Sequence, residues 1–321
     1  MILVISNSDD AHADHVEAML RECGAMFMRF DPAMFPVAAA ISVSYEPAGR
    51  SRRVLRVGEQ RLDLREVTAV WYRRPGLPDA DAGIEDRAAR ELVREECRQL
   101  VQDVWSSVDC PWLPAQPSIV KSAGQKATQL KIAGELGFEL PPTLITNNPT
   151  DLLEFYRQHG GDIVCKLAGN ALQKSVGWTF ARYTEAVSTR DIAHARSIAL
   201  CPVIFQARVP KQVELRITVV GRQVFAAEIH SQATNHTRLD WRRYDDHNTP
   251  YSVHVLPAAT EERCRELVGR LGLRYGAIDM IRTPDGRYVF IEINPNGQYL
   301  WIEHQTGLPI SDAICDLLME R

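Results

Sequence analysis

The hydrophobic pattern divides the chain into short apolar runs and amphipathic stretches. ILVIS, from Ile2 to Ser6, reads as a buried strand, residues 11–22 have helical spacing, and Gly24 supplies a stop. AMFMRFD reads as a second strand, RVLRVGEQRLDL as a hairpin turning at Gly58-Glu59, and VTAVWYRR as a buried strand ending in two arginines before Pro75. A long charged amphipathic helix is expected over 84–104. This alternation predicts a small doubly wound sheet. Its first strand is not followed by G-x-G-x-x-G, which argues against a dinucleotide site there.

A second unit is expected to begin near Ser118, with a helix from Ala123 to Leu136 stopped by Gly137. The strand TLIT, a helix over 150–159, the strand DIVCK and the polar loop LAGNALQKSVGW follow. PVIFQARV is read as opening a third unit, followed by the hairpin ELRITVVGRQVFAAEIH around Gly221 and the basic stretch SQATNHTRLDWRRYDD. A helix over 258–271, the hairpin GAIDMIR–TPDG–RYVFIEIN and a last helix from Asp312 close the chain. The expected domains are 1–117, 118–205 and 206–321, with no internal repeat or low-complexity tract.

Composition narrows the function classes. A chain of 321 residues with 45% hydrophobic and 24% charged residues is ordinary globular material, and a net charge of −4 gives no general attraction to nucleic acid or anionic membrane. MILVIS lacks a basic n-region and no apolar run is long enough for a bilayer, so a cytoplasmic protein with no membrane partner is expected. Seven singly placed cysteines fit reduced core thiols. His12 and His15, beside Asp9, Asp10 and Asp14, are read as solvated polar residues at a helix start rather than a metal site.

The last hairpin carries the strongest chemical signal. If TPDG closes the turn, Asp279 lies across from Phe290, and Asp279, Phe290, Glu292 and Asn294 share a face, with Ile291 and Ile293 on the opposite, core-facing side. Asp279 and Glu292 are then diagonal neighbours. Two carboxylates and an amide are hard oxygen donors suited to Mg²⁺ bound with phosphates; without a cation, one carboxylate would have to take up a proton. The competing reading is an ordinary acidic strand edge.

Lys166, ending DIVCK before a loop with Gly169, Lys174, Ser175 and Gly177, is placed to hold a phosphate, or else snorkels to solvent. Lys126 lies on an amphipathic helix, where a solvated face is the plain alternative. Glu214 and Arg216 alternate on one strand face. A buried Arg216 needs an anionic partner, which phosphate, Glu214 or Asp279 would each provide. Arg238, Arg242 and Arg243 surround Asp240 and Trp241; in an acidic chain their target is an anion or peptide carboxylate rather than nucleic acid. His230 suits proton transfer near this site or a neutral structural role.

Taken in order, QKATQLKIAGELGFELPPTL, DIVCK, VIFQARV, ELRITVVG, AIDMI and IEINPN resemble the ATP-grasp ligases, and the ribosomal-protein glutamate ligases among them. RFDPAMFP, VTAVWYRRP, LPPTLITNNP, AEIHSQ, DWRRYD and NPNGQYLWIE look more narrowly like the graspetide macrocyclases of the microviridin and plesiocin type. The resemblance implies an α/β (α+β) ATP-grasp fold: a doubly wound pre-ATP-grasp domain, a central lid domain and a C-terminal antiparallel-sheet domain.

The same resemblance implies roles. Lys126 and Lys166 would reach the nucleotide phosphates, and Gln206, Ala207 and Val209 would form the adenine hinge. Glu214 would meet ribose or substrate, and Arg216 the γ-phosphate and acyl phosphate. Asp279, Glu292 and Asn294 would hold magnesium, and residues 168–177 stand where relatives have a more glycine-rich phosphate lid. The implied activity uses ATP and Mg²⁺ to phosphorylate Asp or Glu side chains of a ribosomal precursor peptide, which Thr or Ser hydroxyls or Lys amines then attack. Arg238, Asp240 and Arg242 would grip its acidic core, the hairpin 213–230 and nearby helices its leader, and the enzyme would be a homodimer. The rival readings are an ATP-grasp ligase adding a free amino acid to a peptide, protein or small acid, and a non-catalytic ATP- or peptide-binding module. Retention of both lysines and all three metal-ligand candidates speaks against the module.

Overall fold

The computed structural model describes residues 1–47, 49, 51–166, 172–175, 178–181, 183–234, 237–243 and 249–320, with the backbone alone at 172–175, 178–181 and 243. Of the lid loop expected over 168–177, Gly169, Gly177 and the side chains of Lys174 and Ser175 lie outside the described residues, as does the Arg243 side chain. Among the described residues no helix is long and apolar enough to cross a membrane.

β1 (Ile2–Ile5) is buried throughout, as an inner parallel strand covered on both faces must be. α1 (Ala11–Glu22) follows, with Asp10 accepting the His12 N–H as N-cap and Gly24 leaving at φ 70°. β2 (Phe27–Phe30) pairs parallel with β1. β3 (Ala39–Tyr45), β4 (Ser51–Val57) and β5 (Gln60–Asp63) make a separate antiparallel sheet. The β4–β5 hairpin is the expected one; β3 is an addition to the sequence reading, although Ile41, Val43 and Tyr45 alternate with Ser42 and Ser44, and Ile41 and Val43 pack on the core.

β6 (Ala69–Tyr72), α2 (Arg87–Ser106) and β7 (Trp112–Leu113) complete a parallel sheet in the order β2-β1-β6-β7. α1 packs on the face carrying Ile2, Val4 and Trp71, and α2 on the face carrying Leu3, Ile5 and Val70, so the sheet is doubly wound as predicted.

Asp9 and Asp14 at the start of α1 are exposed, as expected, and His15 is half-buried, but Asp10 and His12 are not solvated. Asp10 is 4% and His12 7% exposed. Ser6 Oγ donates to Asp10 Oδ2 at 2.7 Å, Arg73 Nε lies 3.5 Å from that oxygen, and His12 meets Tyr299 edge-on at 4.8 Å. They are buried because the carboxyl end of this sheet docks on the C-terminal unit. Desolvation first, and then Arg73, pushes His12 down to about 3, which keeps its imidazole neutral.

The helix expected from Ala123 to Leu136 is two: α3 (Pro117–Ala123) and α4 (Lys126–Glu135). Gly124, costly inside a helix by about 1 kcal/mol relative to alanine, marks the break, and Lys126 opens the second helix. β8 (Thr143–Thr146), α5 (Pro149–Gln158), β9 (Ile163–Lys166), the paired strands β10 (Leu172–Ser175) and β11 (Trp178–Ala181), β12 (Glu185–Ala186) and α6 (Thr189–Ala193) follow. β13 (Val203–Ala207), read from sequence as opening the third unit, pairs with both β8 and β9 in the sheet β12-β9-β13-β8.

The C-terminal sheet runs β16-β15-β14-β17-β18, formed by β14 (Val213–Val220), β15 (Gln223–Ile229), β16 (Tyr251–Val253), β17 (Tyr275–Arg282) and β18 (Tyr288–Asn294). α7 (Ala258–Arg270) packs with Leu215, Ile217 and Val219 on one face, joined by Ala123 and Ala133 of α3 and α4. α8 (Leu300–Thr306) and α9 (Ile310–Met319) join the other face with α1. β14 is hydrogen-bonded along both edges and is almost wholly buried, so the hairpin expected as a leader surface offers a peptide no open edge at that strand.

The β17–β18 register differs from the sequence reading by one residue on the turn side and by two at Asp279. Asp279 pairs directly with Glu292 and Ala277 with Asn294, but Met280 pairs with Phe290, so Ile291 is an extra residue in a bulge. One extra residue reverses which side chains face the core. Phe290 and Ile293 are therefore fully buried, while Ile291 joins Glu292 on the open side, reversing the faces expected for Phe290 and Ile291.

Candidate active site

Strand alternation on β14 and the bulge on β18 bring the polar side chains to one open cleft of about 720 Å³ between the central and C-terminal sheets. Val164, Met280, Ile281 and Ile291 give its wall apolar surface, and Lys166, Lys211, Arg242, Asp279 and Glu292 give it charge. Gln206, Ala207 and Val209 line it where β13 ends. The Gln206 side chain is occupied with Thr143 Oγ1 at 3.0 Å, and the Ala207 N–H with Pro142 O at 2.9 Å.

Asp279 Oδ2 and Glu292 Oε1 each lie 3.3 Å from Asn294 Nδ2, so the three side chains converge on one point. Lys126 Nζ, at the first turn of α4, stands 2.6 Å from Glu292 Oε2, and Arg216 Nη1 stands 2.8 Å from Asp279 Oδ1. Burial alone would raise the Glu292 carboxyl, but Lys126, Lys166 and Arg242 outweigh it and hold the group well below the usual carboxylate range. Asp279 moves the opposite way: burial, aided by Glu292, raises it against the pull of Arg216. One member of the pair thus leans toward taking a proton when protein cations are the only counter-charge.

The donor set fits a magnesium ion. An asparagine amide can turn either its N–H₂ or its oxygen to the meeting point, and with the oxygen inward the shelf presents three hard oxygen donors. Among the described residues no group of three or more His, Cys, Asp or Glu could cage a metal. Two carboxylates and an amide suit instead an ion whose coordination phosphate oxygens complete.

Lys166, at the end of β9, lines the cleft, and its side chain makes no hydrogen bond or ion pair among the described residues. Burial, only partly opposed by Glu292, pushes it down to about 8, still largely protonated at neutral pH. Glu214 accepts from Lys211 Nζ at 2.9 Å and Ser231 Oγ at 2.8 Å; burial raises it and Lys211 opposes the rise. Arg242 forks onto Asp240 through Nε at 2.9 Å and Nη2 at 2.6 Å. Asp240 also accepts the Thr184 N–H at 2.8 Å; burial raises it, but the arginine prevails and holds it at about 2.

A family model described as the MvdD pre-ATP grasp domain matches residues 1–119. The structure of macrocyclase MdnC bound with precursor peptide MdnA, from Microcystis aeruginosa MRC, superposes with a TM-score of 0.86 at 32% identity, covering 99% of this chain and 98% of that one. The chain belongs to the ATP-grasp macrocyclases of ribosomal peptides. A RiPP-associated ATP-grasp ligase of Chryseobacterium gregarium, in complex with ADP and a leader and core peptide, matches at a TM-score of 0.90 and 32% identity, over 99% of this chain and 96% of that one. The ATP-grasp ligase PsnB, complexed with minimal precursor, Mg and ADP, shares the fold at 22% identity and a TM-score of 0.79, with 99% and 96% covered. A comparison with curated proteins by sequence finds no match.

Lys126, Arg216 and Asn294 stand beside the cleft lining of this macrocyclase rather than in it, and two further residues read from sequence as site members make their contacts outside it. His230 Nε2 sits 3.3 Å from Glu228 Oε2 and 3.2 Å from Ser252 Oγ, outside the cleft lining. Arg238 is exposed and does not line the cleft; its carbonyl accepts from Gln232 Nε2 at 3.0 Å. His230 follows the end of β15, and its contact with Ser252 puts it beside Glu228, which pairs with Leu215 rather than with Arg216. Lys211, missed by the sequence reading, has one faint sequence signal, its spacing three residues before Glu214. Gln129 and Arg73 are further residues that only the fold reveals.

Proposed function

We propose that this chain closes rings in a ribosomally made precursor peptide, with ATP cleaved to ADP and phosphate. The carrying observation is the convergence of Asp279, Glu292 and Asn294 with Lys126, Lys166 and Arg216 beside one cleft. The chain around it is similar over 99% of its length to a macrocyclase crystallised with its precursor.

Lys126 and Lys166 bind the nucleotide phosphates as point charges, and Arg216, fixed to Asp279 and to Gln298 O at 2.8 Å, presents its guanidinium near the transferring group. Asp279, Glu292 and Asn294 hold Mg²⁺, which supplies charge neutralisation on the phosphates. A side-chain carboxylate of the peptide attacks the γ-phosphorus in line, the bond to the ADP oxygen breaks, and an acyl phosphate forms. A hydroxyl or amine of the same peptide then attacks the acyl carbon. Phosphate leaves with its bridging oxygen, and the nucleophile's proton passes to solvent. Holding both groups in one bound peptide makes ring closure effectively unimolecular. Arg242, poised by Asp240, faces the acidic core. The domain division, homodimer and cytoplasmic location implied by the resemblance complete the reading.

The test incubates the protein with ATP, Mg²⁺ and the precursor peptide encoded beside its gene. A peptide mass lower by one water per ring, with matching ADP release, is expected. A gain equal to one amino acid residue would replace this reading with addition of a free amino acid.

A further inference from the structure

Gln129 stands three residues after Lys126 in α4, one helical turn away on a neighbouring part of the same face. It is 1% exposed. Its amide pairs with the backbone of Ile293: Nε2 donates to Ile293 O at 2.8 Å, and Oε1 accepts the Ile293 N–H at 3.3 Å. Nε2 also donates to Ala123 O at 2.7 Å. Ile293 lies between Glu292 and Asn294, with its own side chain fully buried on the core face. Successive strand residues point to opposite faces, so the peptide groups that Gln129 clasps set the directions of both flanking side chains.

The strand needs that clasp. β18 is the outer strand of its sheet, and the bulge at Ile291 interrupts its ladder to β17 immediately before Glu292. An edge strand with a bulge has weakened backbone restraint of its own. Glu139 O takes the Phe290 N–H at 2.9 Å on the outer side, and Gln129 performs the same service at Ile293, standing in for an absent neighbouring strand.

We propose that Gln129 is a positioning residue for the metal shelf. By clasping Ile293 it fixes where Glu292 and Asn294 point, and from one turn beyond Lys126 it ties the phosphate lysine to the same shelf. The inference rests on the nucleotide and metal reading of the cleft.

The test titrates Mn²⁺, a paramagnetic stand-in for Mg²⁺, into protein saturated with ADP, reading free Mn²⁺ by electron paramagnetic resonance without turnover. Gln129→Met keeps the side chain's length and loses its three hydrogen bonds. Its Mn²⁺ dissociation constant should rise at least tenfold, with an unchanged circular dichroism spectrum. Leu130→Ala, which loosens the same helix but keeps the clasp, should stay within twofold of wild type. If Gln129→Met does not fold, Gln129→Asn, whose amide is one methylene too short, takes its place with the same expectation. Mn²⁺ affinity within twofold of wild type in the folded Gln129 variant, or an equal loss in Leu130→Ala, overturns the proposal alone. Wild-type protein that binds no Mn²⁺ with ADP overturns the nucleotide reading and this inference with it.

Discussion

Glu292→Gln tests the shelf most directly, because it keeps the shape of the side chain and removes one charge. Glu292 Oε2 is 2.6 Å from Lys126 Nζ, and the two side chains are 19% and 20% exposed. At that separation and an effective dielectric of about 20, the gross attraction is roughly 6 kcal/mol. Desolvation of both ions and residual solvent contact cut the net figure, leaving about 3 kcal/mol as the expected coupling between the residues. A double-mutant cycle of Glu292→Gln and Lys126→Met, followed by urea unfolding, isolates it. Catalytically, losing one preorganised electrostatic element should lower turnover by about 10² to 10³, read as ADP release with precursor present. Circular dichroism separates loss of the shelf from loss of the fold. Turnover within threefold of wild type, or a coupling energy near zero, would refute the assignment of Glu292 to metal and phosphate.

Gly297→Ala should abolish turnover and destabilise the protein by about 2 kcal/mol or more on thermal melting, since an added Cβ would meet Ala277 Cβ at 2.3 Å and Arg216 Nη2 at 2.8 Å. Lys166, held near 8, should make ATP affinity fall as pH rises through that value, and Lys166→Arg should flatten the titration followed by calorimetry. His12, lowered to about 3, binds fewer protons folded than unfolded, so its contribution to stability is full above pH 6.5 and lost progressively toward pH 3. His12→Gln should flatten that acid limb in pH-dependent melts.

Much of the site was legible because catalytic side chains here stand on regular strands. Alternation alone placed Glu214 with Arg216, and Glu292 with Asn294, on common faces, and the turn at TPDG brought Asp279 to Glu292. It failed at Phe290 and Ile291, where an inserted residue reversed the phase. Burial of Asp10 and His12 was equally hidden, because polar residues at a helix start look solvated until another unit docks on them.

By itself the sequence determined the strands and helices with strong apolar periodicity, the doubly wound first sheet, and a set of oxygen donors and cations whose order matches a ligase family. Only the tertiary structure decided the bulge, the place of β13 in the central sheet, and the clasp of Gln129 on Ile293 across 164 positions. The reason is physical. Periodicity records which face a residue turns within its own element, whereas register, docking and long-range hydrogen bonds depend on partners that the local pattern does not encode.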